Sequence, residues 1–367
     1  MNRQTLHRVL LGTVSMAVAL GAFGTTEAWS QSSESHHYSE NSEHYVSPTD
    51  QEKATESSAM SSNRISGRYI VRTVGARAVT LSSAGGAPET TRLRANGDGE
   101  IRGLSGGDGG DWTTGKLAIW SAATGDLFYD EKPAIDLSGL QYAATLGADY
   151  RFFDAFLAGV AVGYERLDVT FHGNGDFQRD ADYFVTTLYG AYQFTDNWSV
   201  NILGSYGLGL NDIIPAGANS GQGNGHHSHR FITSGNVAYS NVYDRITAYG
   251  SGGISYAHEG FDAYYDSVGA KVSPDAVELG QLYTEGDVGY IFQMSDENND
   301  IIEPYVSARL EYDFISNGMN DRFGAVLGGG LRAFVNDNLS LEMFGNTEVA
   351  RSDEATTSFG MNARLQF

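Results

Sequence analysis

The last ten residues, Ser358 to Phe367, constrain the fold more than any other stretch. Phe359, Met361, Ala363, Leu365 and Phe367 share one face of an extended strand, and Ser358, Gly360, Asn362, Arg364 and Gln366 share the other. A soluble chain seldom carries an amphipathic strand at an unprotected end, because the open edge templates association with other chains. Closing the sheet into a barrel removes that edge.

The same alternation recurs upstream. Trp198, Val200, Ile202, Tyr206, Leu208 and Leu210 oppose Ser199, Asn201, Ser205 and Asn211, and Pro304, Val306, Ala308, Leu310 and Tyr312 oppose Glu303, Ser307, Arg309, Glu311 and Asp313. Twelve such runs can be counted, at about 114–124, 137–151, 155–170, 178–194, 198–211, 229–242, 245–257, 277–293, 301–314, 322–334, 338–350 and 356–367. An even number of runs, each at least as long as the roughly 9 to 11 residues a tilted strand needs, predicts an all-β fold, a twelve-stranded antiparallel transmembrane β-barrel. Two soluble β-domains would need polar outer faces, whereas Tyr and Phe recur near the run ends as in an aromatic girdle. The connections alternate between a longer set (125–136, 171–177, 212–228, 258–276, 315–321, 351–355) and a shorter set (152–154, 195–197, 241–244, 295–300, 335–337). In outer-membrane barrels the longer set is extracellular and the shorter periplasmic.

At the other end, Arg3 and Arg8 precede an apolar run from Val9 to Phe23 and small residues at Thr26 and Ala28. This is the pattern of a cleaved signal peptide, residues 1–28, and its run of about 15 residues is short of the roughly 20 a transmembrane helix needs. The exported chain has no cysteine, so neither disulfides nor thiol chemistry are available. A net charge of -22 argues against nucleic acid as a partner.

Residues 29–62 are polar with few aliphatic side chains and read as a disordered, passenger-like tail. Residues 63–111 read as a linker. Within it, over 63–82, Arg64, Arg68 and Arg72 recur every four residues, with Arg77 beyond, and no acid intervenes. That spacing places the first three arginines along one face of a helix. Inward-facing positions of the barrel, residues 112–367, carry Glu285, Asp287, Glu311, Asp313, Glu342 and Glu348, with Arg309, Arg332 and Arg364 among them. The basic helix thus has a destination in the lumen, the alternative being a solvated helix in the periplasm. Between helix and barrel, Asn96-Gly97-Asp98-Gly99 reads as a turn between two short strands.

No residue pattern carries catalysis. His36, His37 and His44 lie in the polar tail, and His226, His227 and His229 are read as part of the third long loop, without metal-site spacing. Ser228, His258 and Asp262 have nothing tying them into a triad. The expectation is a protein that is not an enzyme and holds no metal and no cofactor.

Three strand segments, Leu146-Gly147-Ala148-Asp149-Tyr150-Arg151, Val160 to Val169 and Leu188-Tyr189-Gly190-Ala191-Tyr192-Gln193-Phe194, together with Val71 to Arg77 at the pore-helix position, resemble the autotransporter translocator domain of type V secretion. The resemblance spans about residues 63–367. It implies a monomeric barrel in the outer-membrane lipid of a Gram-negative cell, inserted by the barrel-assembly machinery, which reads a signal that includes Phe367, and carrying an N-terminal segment to the cell surface. Residues 29–62 are far shorter than the family's usual β-helical passenger, so the implied passenger is very short or lost. The alternative is a porin-like passive channel, or a structural outer-membrane barrel.

Overall fold

The computed structural model describes residues 47–84, 93–95, 99–101, 117–132, 135–153, 155–172, 177–215, 224–266, 268–294, 300–316, 321–335, 339–352 and 354–367. Residues 1–28 and 29–46, assigned above to the signal peptide and the start of the tail, lie outside them.

The described residues include one helix and twelve long strands. The helix α1 spans Pro48–Ala84. The strands are β1 (Leu117–Lys132), β2 (Ile135–Phe153), β3 (Phe156–Phe171), β4 (Phe177–Gln193), β5 (Trp198–Pro215) and β6 (Asn224–Tyr243). They continue with β7 (Ile246–Phe261), β8 (Val277–Tyr290), β9 (Ile301–Ser316), β10 (Phe323–Val335), β11 (Leu339–Glu348) and β12 (Glu354–Gln366). Each strand pairs antiparallel with its sequence neighbours, and β12 returns to β1 along a ladder from Glu354↔Asp130 to Gln366↔Ala118. The Phe367 amide extends this seam by donating to the Leu117 carbonyl at 2.9 Å. The sheet closes into a barrel of twelve antiparallel strands, and the amphipathic C-terminal strand has no free edge.

Burial is inverted relative to a soluble protein. Leu188, Ile202, Val306 and Phe359 are 62 to 69% exposed on the outer surface, while Arg179, Glu259, Glu303 and Asp313 are fully buried inside. Exposed aromatics at the short-turn rim, among them Phe152, Phe156, Tyr192, Trp198, Tyr243 and Phe292, form the girdle expected at a membrane interface. On the lumen side, Trp120 lies flat over Gly147, where a Cβ would overlap the ring, and its Nε1 donates to the Tyr189 hydroxyl at 2.7 Å.

The strands run further than the sequence pattern suggests. β1 extends to Lys132 and pairs with β2 down to Lys132↔Ile135, so most of the segment read as the loop 125–136 is ladder. β2, β5 and β6 are 19, 18 and 20 residues long, against 13, 10 and 13 for β10, β11 and β12. Toward the long-loop rim the two faces lose their contrast, with Phe128 buried on the inward face and Glu131, His227 and His229 exposed on the outward one, which erases the alternation, but the backbone groups still need partners and keep pairing. For the same reason His226, His227 and His229 are not in a loop but on β6: His226 points inward and stacks on Tyr264 at 4.4 Å, and the other two point outward.

The helix also begins earlier than expected. Residues 48–62, read as disordered tail, form its first turns, and 63–82 is its continuation. Ser47 caps it: its hydroxyl accepts from the Asp50 amide at 3.2 Å and donates to the Asp50 carboxylate at 2.7 Å, with Pro48 at the first helical position. No helix among the described residues is long and apolar enough to cross a membrane. Leu93–Ala95 pairs with Gly99–Ile101 as a separate short hairpin.

Candidate functional site in the lumen

Two sides of α1 meet two different walls. The arginine side faces β9, β11 and β12. Arg64 bonds Asp313 at 2.9 Å and Glu354 at 2.5 Å. Arg68 makes a two-pronged contact with Glu311, at 2.8 and 2.6 Å, and also reaches Glu348 at 2.9 Å. Arg72 donates to the Tyr305 hydroxyl at 2.6 Å, to Glu342 and to Asn346, and its guanidinium lies 3.7 Å over the Phe344 ring. Arg77 is within the helix, but its side chain is outside the described residues.

The remaining lumen charges brace this wall. Arg309 bridges Glu285 and Glu311, Arg332 bridges Asp287 and Glu303, and Arg364 stands 3.6 Å from Asp149 across the β12–β1 seam. Arg351, in the connection between β11 and β12, bonds Asp313 and Glu348. Planar guanidinium groups suit this role, because each holds two carboxylates at once in fixed geometry.

The opposite side of the helix carries a pattern that the sequence reading missed. Ser58, Ser62 and Ser66 also recur every four residues, and all three are buried. Arg179 on β4 donates to the Ser58 hydroxyl at 2.7 Å, and Arg230 on β6 donates to Ser62 and Ser66, both at 2.9 Å. Ser66 in turn donates to Glu165 at 2.6 Å and accepts from Gln141 at 2.8 Å. The wall arginines are neutralised by Glu165 and Glu259. Between the two stripes, Ile65, Tyr69, Ile70, Val71 and Val74 pack with Trp120, Tyr183 and Val185 in one buried apolar cluster. Serine spacing was legible in the chain, but small polar residues conventionally signal exposure, and only a polar lumen makes them core.

The N-terminal turns of α1 are clasped at the long-loop rim by residues 262–266 and 268–276. Tyr264 pairs with Val272 in a small hairpin whose turn needs Gly269 at φ 82°, and the Tyr264 hydroxyl donates to Gln51 at 3.2 Å. The Ser273 and Asp275 amides each donate at 2.9 Å, to Glu52 and Glu56. Arg72, further along, reaches Glu342 near the start of β11, on the short-turn side. The helix therefore runs from the long-loop rim inward toward the short-turn rim, where β1 begins.

Among the described residues no cluster of three or more His, Cys, Asp or Glu could hold a metal ion. What the lumen binds is a polypeptide helix, by charge on one side and hydroxyls on the other.

The comparisons with known proteins agree with this geometry. A search of curated protein sequences returns no match. Among solved structures, the chain is similar to the translocator domain of the autotransporter NalP from Neisseria meningitidis, with a TM-score of 0.54 and 15% identity over 70% of this chain and 90% of that one. The β domain of the Bordetella autotransporter BrkA aligns with a TM-score of 0.58 and 15% identity, over 69% of this chain and 100% of that one. The transport unit of the autotransporter AIDA-I from Escherichia coli aligns with a TM-score of 0.53 and 13% identity, over 80% and 98%. At these identities the likeness is one of fold. The sequence model described as the autotransporter β-domain matches residues 119–346, well over half of the chain, and the chain belongs to the autotransporter β-domain family of outer-membrane barrels.

Proposed function

We propose that this barrel displays the segment upstream of α1 at the cell surface, as the translocator of a short N-terminal passenger, without enzymatic activity of its own. One observation supports this reading above the others: α1 lies along the lumen with its N-terminus clasped at the long-loop rim. A chain entering from the short-turn side and leaving at the long-loop side would come to rest in this arrangement. On the same reading residues 1–28 are a cleaved signal peptide, the barrel is monomeric in outer-membrane lipid, and the β12 end with Phe367 is what the barrel-assembly machinery recognises.

An epitope placed between residues 29 and 46 tests the display. Antibody or protease should reach it on intact cells while the folded barrel keeps its heat-modifiable gel migration. Access gained only after the outer membrane is opened would overturn the reading.

A second reading, a porin-like channel, draws support from a cavity of about 140 Å³ beside Arg72 on the β8–β12 side of the helix. It requires appreciable ion conductance with α1 in place. The translocator reading expects conductance to rise steeply when residues 29–110 are deleted.

A further inference from the structure

Both stripes on α1 repeat every four residues, and a four-residue step on an α-helix is a screw motion of about 6 Å and about 40°. Such a step carries Arg64 into the seat of Arg68 and Arg68 into that of Arg72, while steps of one, two or three residues take every arginine away from its acids. We infer that the barrel offers α1 a second seat, one repeat lower, toward the short-turn rim, and another a repeat higher, so that the helix moves in four-residue steps. The inference rests on the helix lying in the lumen and holds whether or not the barrel exports a passenger.

Three features of the walls support it. In the lower seat Asp313 loses Arg64 but keeps Arg351 at 3.0 Å, and in the upper seat Glu342 loses Arg72 but keeps Arg332 at 3.6 Å. Asp313 and Glu342 are thus already backed by wall arginines when they are vacated. On the other side, the lower seat gives Arg230 Ser58 and Ser62 but brings Ala54 to Arg179 in place of Ser58, and the upper seat gives Arg179 Ser62 but brings Ile70 to Arg230 in place of Ser66, so either seat fills two of the three hydroxyl sites. Finally, Arg72 itself lines the cavity, together with Glu285 and Asp287, which are held by Arg309 and Arg332, so that side chain has room to shift.

Counting filled positions makes the test directional. With all three arginines the present seat fills three acid sites and either neighbour fills two. Without Arg72 the present and lower seats both fill two, and without Arg64 the present and upper seats both do.

The chain contains no cysteine, so an introduced pair is unique. Gln141→Cys, whose native side chain touches Ser66, is combined one at a time with cysteine at positions 62, 63, 66 and 70 in the full-length refolded barrel, and treated with a short thiol crosslinker. Position 66 should dominate in the parent, with the shifted seats below about 1%. Arg72→Met should raise position 62 at least about tenfold, and Arg64→Met should raise position 70 likewise, with 63 unchanged in both. Arg72→Lys and Arg64→Lys retain the charge and should keep 66 dominant. Crosslinking confined to 66 in every variant that still shows heat-modifiable migration, or a rise at 62, 63 and 70 together as from a merely loosened helix, would overturn the stepped interface.

Discussion

The two walls that hold α1 solve the same problem with opposite chemistry. The β8–β12 wall presents carboxylates to arginines of the helix, and the β3–β7 wall presents arginines to serines of the helix. The arginine and serine stripes lie on opposite sides of the helix, about 180° apart at any one level. Because each stripe finds partners on one wall only, the pair of stripes sets the rotation of the helix in the lumen. Charge contributes the strength and hydroxyls contribute the fit, since removing one partner of a buried ion pair costs about 3 to 5 kcal/mol, whereas a hydrogen bond between a charged group and a neutral one contributes about 1.5 to 3 kcal/mol.

Reversing a charge on the acid-facing side should be the most disruptive change. Arg68→Glu sets a third carboxylate against Glu311 and Glu348, and should release α1 to protease in the refolded barrel, an effect on the order of 5 kcal/mol. Arg68→Met, which only removes the cation, should lower barrel stability in urea by about 3 kcal/mol, because Arg309 and Arg351 still contact Glu311. Ser62→Ala, which removes one hydroxyl acceptor from the Arg230 guanidinium, should be felt less, at about 1.5 kcal/mol in the same titration. Equal effects of Arg68→Met and Ser62→Ala would erase the distinction between the walls.

The helix cap gives a change of similar size away from both walls. Ser47→Ala should cost about 1 kcal/mol and show as fraying of the first turn in hydrogen exchange, with the protection of residues 58–72 unchanged.

The smallest effect expected is one of pH. Asp321, in the connection between β9 and β10, has its carboxyl held below the ordinary carboxylate value, first by the Ser352 amide and then by the Ser352 hydroxyl and Arg351. A folded-state value below the unfolded one stabilises the ionised form, so this tie is complete above the ordinary carboxylate range and is lost as the pH falls through and below it. Proteolysis in the 349–353 connection should accordingly rise on acidification, and Asp321→Asn should remove that pH dependence.

The comparison of walls also explains which parts of the molecule were legible in the chain. Alternation marks the strands wherever they cross an apolar layer, as in Trp198 to Leu210, because lipid on one side and a polar lumen on the other impose opposite demands on successive residues. It fails from Asp126 to Lys132 and around His226 to His229, where neither demand applies outside the membrane, yet pairing continues. The arginine spacing was visible because charge is conspicuous. Thr55, Ser58, Ser62 and Asn63 were read as tail or linker although all are fully buried. The capping signal at Ser47-Pro48-Thr49-Asp50 was present in the sequence, and would have placed the start of the helix had polar composition not been equated with disorder.

The sequence by itself determined the class of solution: twelve amphipathic runs, the last with one apolar face, can satisfy their backbone groups in lipid only by closing on one another. It also determined that a basic stripe would require acids. Which acids, which seat along the lumen and which face toward which wall were decided by the tertiary structure. These depend on strand register and barrel closure, which bring Arg64 to Asp313 and Arg230 to Ser62 from 249 and 168 residues away in the chain.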